Sequence, residues 1–140
     1  MRRKRFPADD PREWLNRARS NLAHAQIESA DVFYEDLCFD AQQAAEKAIK
    51  AVLISRGEPF PFVHELKELL RRLERNGLNI PKYVWEADKL SRFAVVTRYP
   101  GGVRPVSKRQ HGRAVRLATA VLRWAKRQVA KGSIAPGGEK

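Results

Sequence analysis

FYEDLCFDAQQAAEKAIKAVLISR, residues Phe33 to Arg56, is the least polar part of the longest run in the chain that lacks proline and glycine. Phe33, Leu37, Ala41, Ala44, Ala45, Ala48 and Val52 recur at steps of three and four, which sets them along one side of an α-helix. A second row, Cys38, Ala45, Ile49, Val52 and Leu53, widens that stripe beyond a coiled-coil seam. Only Asp36, Asp40, Gln43, Lys47 and Lys50 make a continuous polar strip, so neighbours are expected over most of the circumference. Glu46 and Lys50, in the favourable Glu-before-Lys order, are expected as an exposed pair. Gly57, then Pro59 and Pro61, end the helix.

Helices are expected on both sides of this one. Asp10, Pro11 and Glu13 supply a cap, a first-turn proline and a first-turn carboxylate, and Trp14, Leu15, Ala18, Leu22 and Ala25 then line one face as far as Glu28. The short link Ser29 to Asp31 makes this helix and the central one an antiparallel pair. Val63 to Asn76 carries Leu66, Leu69, Leu70 and Leu73 on one side, with acidic residues early and arginines late, as the helix dipole favours. Pro81 opens a fourth helix with Val84, Ala87, Leu90 and Ala94 inward, expected to fail by Thr97 before Tyr99-Pro100-Gly101-Gly102. Arg98 to Val106 reads as an irregular loop. Ser107 with Gln110 makes a capping-box pattern for a last helix running to about Ala130. The expected fold is all-α, an antiparallel up-and-down bundle of about five helices. Its expected boundaries are a mobile basic N-terminal arm at 1–10, a helical domain at 11–131 and a disordered tail at 132–140.

Size and composition fit one domain. The chain has 140 residues and 43% hydrophobic content, enough for a single core. Apolar runs such as Ala51 to Ile54 are too short to span a bilayer, and no apolar stretch follows Met1-Arg-Arg-Lys-Arg5 to make a signal peptide. A cytoplasmic protein without membrane contact is expected. The one cysteine, Cys38, reads as a small core residue.

Charge is distributed unevenly. The net charge is +12, and Lys89 to Gly138 holds 12 Lys and Arg without one Asp or Glu, which leaves 16 basic against all 16 acidic residues elsewhere. Fifty residues of one sign point to a polyanionic partner. On the last helix Val115, Ala118, Leu122 and Val129 point one way and Arg109, Arg113, Arg116, Arg123 and Arg127 the other. This cationic ridge is the candidate nucleic-acid surface.

Many chemistries lack their residues here. There is no Gly-rich phosphate loop after a strand, no Cys-x-x-Cys, no His-Glu-x-x-His and no nucleophile elbow, so no cofactor is expected. His24, His64 and His111 have no metal-ligand spacing, and no metal site is expected. His111 is expected beside the packing face in the first turn of the last helix, where a neutral imidazole would serve as a general base. Arg104, or Arg98 further upstream, would hold a phosphate while His111 acts on a ribose hydroxyl.

DAQQAAEKAIKAVL, then His64-Glu65-Leu66, then Arg98-Tyr99-Pro100, resembles the HEPN domain of prokaryotic proteins over about Trp14 to Val129. The resemblance implies a homodimeric helical bundle, commonly paired as toxin with a small nucleotidyltransferase antitoxin, and relatives that are metal-independent ribonucleases. Their signature is an Arg followed by a His near the start of the last helix. Arg104 and His111 match it with six residues between them, the longest spacing the pattern takes. Pro105 and Arg113 depart from it, standing where a polar residue and a Tyr are usual. The first functional reading is an RNA-cleaving toxin component using Arg104 and His111. The alternative is a non-catalytic nucleotide- or RNA-binding module that partners the nucleotidyltransferase. Apolar surface including Trp14, Trp85 and Trp124 is expected to serve the homodimer.

Overall fold

A computed structural model describes residues 2–59, 65–94 and 105–134, without the side chains of 133 and 134. The chain folds into α1 (Pro11–Ala25), α2 (Tyr34–Ser55), α3 (Leu66–Arg75), α4 (Lys82–Trp85), a 3₁₀ segment (Glu86–Ala94) and α5 (Lys108–Ile134). The described residues contain no strand. The central helix is α2, which packs against α1, α5, α3 and the 3₁₀ segment. Thirteen of its 22 residues are buried. Ala41, Ala44, Ala45, Ala48 and Ala51 are fully buried, and such small side chains let neighbouring helices approach closely.

Capping fixes the helix ends. Asp10 Oδ1 accepts from the Arg12 N–H at 2.9 Å, the N-cap expected for α1. Ser107 and Gln110 form the reciprocal capping box of α5, with Ser107 N–H donating to Gln110 Oε1 at 2.8 Å and Gln110 N–H donating to Ser107 Oγ at 3.1 Å. The first N–H groups of α3 are capped from another element. Leu66 N–H donates to Ser91 Oγ at 3.0 Å and Lys67 N–H to Asp88 Oδ1 at 3.1 Å. Both acceptors lie on the 3₁₀ segment, so it holds α3 in place as well as covering α2.

Several expectations change. The fourth helix is mostly 3₁₀, because Val84, Ala87, Leu90 and Phe93 are all buried and repeat every three residues, the period of a 3₁₀-helix. Glu46 and Lys50 are not an exposed pair. Both side chains are buried and Lys50 Nζ donates to Glu46 Oε2 at 2.7 Å, while Gln42 Nε2 donates to Glu46 Oε1 at 2.8 Å. Helical steps of four place these polar groups one above another, a row that the crowded surroundings of α2 turn inward. Phe33, expected in the apolar stripe, stands at the N-cap position of α2 without a side-chain cap and is 74% exposed. Trp124, expected as surface for a second copy, is a core residue at 2% exposure. Both α1 and α5 differ in length from expectation, ending at Ala25 and Ile134.

Candidate functional site

Three helix ends meet where α5 begins. His111, in the first turn of α5, is 8% exposed, and its Nε2 lies 2.7 Å from the Ala25 carbonyl at the end of α1. A carbonyl only accepts, so Nε2 carries the proton and donates. Tyr34, the first residue of α2, stacks on the imidazole with ring centroids 5.1 Å apart and planes inclined by 25°. One residue on, Glu35 Oε2 accepts from the Val106 N–H at 2.8 Å, tying the entry of α5 to the start of α2.

The last carbonyls of a helix have no partner within it. At the end of α1, Gln26 N–H serves Ala23 and Ile27 N–H serves His24, and the His111 imidazole serves Ala25. The histidine therefore closes α1 from 86 residues away. Proton transfer to or from a substrate has only Nδ1 available, on a ring that is mostly covered. His111 lies beside the packing face, as expected. Its reach toward solvent is smaller than a surface general base has. Arg104, Arg98 and His64 lie outside the described residues. His24, the residue before Ala25 in the last turn of α1, is paired with Asp40 of α2. Among the described residues no three His, Cys, Asp or Glu side chains gather as metal ligands.

The ridge is where the sequence puts it. Arg109, Arg113, Arg116, Arg123 and Arg127 are all exposed along α5, while Ala118, Leu122 and Val129 are buried and Val115 is half-buried. Arg127 Nη2 donates to Tyr83 OH at 3.0 Å. Among the described residues no carboxylate pairs with any of the five. Their charge is left for solvent or a ligand. Tyr34, Glu35 and Ala25 escaped the sequence reading because their contacts with α5 join distant parts of the chain. Only a tyrosine opening a helix beside a short interhelical link hinted at a junction.

The HEPN domain model matches residues 11–128. Two solved structures resemble the whole bundle. The protein TT1696 from Thermus thermophilus is 33% identical with a TM-score of 0.72, the match covering 84% of this chain and 97% of that one. ST0689, an archaeal HEPN homologue, is 26% identical with a TM-score of 0.67, covering 86% of this chain and 98% of its own. No curated protein matches the chain.

Proposed function

The chain belongs to the HEPN domain family, and on that premise we propose that it acts by binding RNA along the ridge of α5 rather than by cutting it. The observation that carries this reading is the row of five exposed arginines without a carboxylate partner among the described residues. Guanidinium groups spaced along a helix neutralise successive phosphates and release counterions, so affinity is set by charge more than by base sequence. The protein works as a homodimer in the cytoplasm, and its partner is a small nucleotidyltransferase that serves as the antitoxin. Exposed Phe33, Ile27 and Tyr83 supply apolar surface for such contacts. The nucleotidyltransferase rests on the family resemblance alone.

The ribonuclease reading, with Arg104 as clamp and His111 as base, draws on one observation, that His111 Nδ1 has no hydrogen-bond partner among the described residues. Against it stands the use of Nε2 to close α1 and the near-complete cover of the ring. One experiment separates the two. Folded protein, freed of any partner, is incubated with labelled single-stranded RNA and no metal. Retained, intact RNA supports the binding module. Cleavage that is lost in Arg104→Ala or Arg98→Ala, with binding kept, overturns it in favour of the nuclease.

A further inference from the structure

The N-terminal arm is fastened to α1 by side chains. Asn16 Nδ2 donates to the Lys4 carbonyl at 2.8 Å and Trp14 Nε1 to the Ala8 carbonyl at 2.7 Å. Glu13 accepts from the Phe6 N–H at 2.9 Å and from Arg5 Nε at 2.7 Å, and also pairs with Arg17 at 3.2 Å. The arm and α1 together wall an open cleft of about 500 Å³ lined by Arg2, Arg3, Arg5, Arg17 and Arg19, with Glu13 as the one acid. That carboxylate is already shared by Arg5 and Arg17. Arg2, Arg3 and Arg19 have no carboxylate partner among the described residues.

These cations are close enough to repel one another. Burial, with Arg3 adding, holds the Arg19 guanidinium below its ordinary pKa. Lys126 on α5 is lowered by Arg19 first, then by burial, Arg3 and Arg123. Lys126 thus feels Arg19 and Arg3 of the cleft and Arg123 of the ridge together, and α1 packs on α5, so the two sets of cations adjoin. Holding so many like charges together costs stability unless an anion relieves it. A cleft of this volume is in the range of small-ligand sites, and forked guanidinium groups match phosphate oxygens two at a time.

We infer that the arm and α1 form a second binding site, for a run of adjacent phosphates, and that its occupant is the backbone of a single-stranded nucleic acid leaving the ridge. The site deepens the ridge reading in its choice of ligand, but its residues are separate from Arg109, Arg113 and Arg116. A free polyphosphate shares the chemistry, and the probes tell the two apart.

The test compares Arg3→Ser with Arg19→Ser, made together, against Lys67→Ser with Arg71→Ser, which removes the same charge from α3. Labelled oligouridylate is followed by anisotropy and sodium tripolyphosphate by calorimetry, at one salt concentration. The arm pair is expected to weaken oligouridylate about tenfold or more, as loss of charged hydrogen bonds does, and the α3 pair to change it by less than about twofold. Equal effects of the two pairs overturn the site. Loss of tripolyphosphate binding with oligouridylate unchanged overturns the nucleic acid as occupant and assigns the cleft to free polyphosphate. If the arm pair weakens RNA while Arg109→Ser, Arg113→Ser and Arg116→Ser together do not, the arm site stands and the ridge reading fails.

Discussion

His111 at the start of α5 donates its Nε2–H to the carbonyl of Ala25 at the end of α1, 2.7 Å away. The bond joins two helix ends that are far apart in sequence and satisfies an acceptor that α1 itself leaves open. A residue that reads as a general base is thereby a structural cap. His111→Ala should cost about 1–3 kcal/mol, the penalty for a buried acceptor left without its donor. His111→Gln, which keeps an N–H donor, should lose less. Denaturant melts of the two variants check this, and a wild-type midpoint for His111→Ala would remove the capping role.

Glu13 gives the arm a pH dependence. Its carboxyl is pulled from the usual 4.5 down to about 2, chiefly by Arg5, then by the Phe6 N–H, with Arg17 and Asn16 adding. A carboxylate depressed by folding contributes stability above its unfolded pKa and loses it as pH falls through the folded value. The contribution should therefore be full above about pH 4.5 and fade from there to about pH 2. Glu13→Gln should melt earlier than wild type at pH 7, and the two curves should converge near pH 2. A constant gap between them across that window would contradict the assignment.

Lys50 and Glu46 form a buried ion pair on α2, and removing Lys50 takes this counterion from the Glu46 carboxylate. Lys50→Met should destabilise by about 3–5 kcal/mol. Adding Glu46→Gln should recover part of this, because the new amide oxygen still accepts from Gln42 without a buried charge. Chemical denaturation of the single and double variants measures the difference. A double variant less stable than Lys50→Met would show that the carboxylate has other work in the bundle.

Cys38 has no exposed surface, and burial raises its thiol from 9.0 to about 11, with Arg92 opposing and Glu35 adding. At pH 8 its thiolate fraction is about a hundredfold below that of a free cysteine. Thiol reagents should label it only in denaturant. Rapid labelling of the native protein would mean that α2 opens easily.

The fold was legible where periodicity and caps agree. The leucines of α3, the alanines of α2, Asp10 and the Ser107/Gln110 box each combine local preference with the final packing, and α1 and α5 start where Asp10 and Ser107 place them. Sequence is ambiguous where one residue type serves two environments. Glu46 and Lys50 look the same whether they face water or lie under other elements, and only the crowding around α2 decides it. Trp124 was ambiguous for the same reason. The three-residue step from Val84 to Phe93 was present in the sequence, but a 3.6-residue template absorbs three of those four positions. The arginine ridge was legible because acid-free composition and helical angle suffice to define it. The His111 cap was not, because it depends on which helix end arrives opposite.

The central claim, binding of RNA by phosphate neutralisation along α5, is tested most directly by the salt dependence of that binding. Affinity for single-stranded oligouridylate is measured over a range of salt concentrations for the wild type and for Arg109→Ser, Arg113→Ser and Arg116→Ser together. Each phosphate neutralised on a single strand contributes about 0.7 to the slope of log affinity against log salt. Loss of three contacts should make the slope shallower by about 2, with weaker binding across sequences and the RNA left whole. An unchanged slope and affinity in the triple variant would contradict the account and leave the ridge a solvated face.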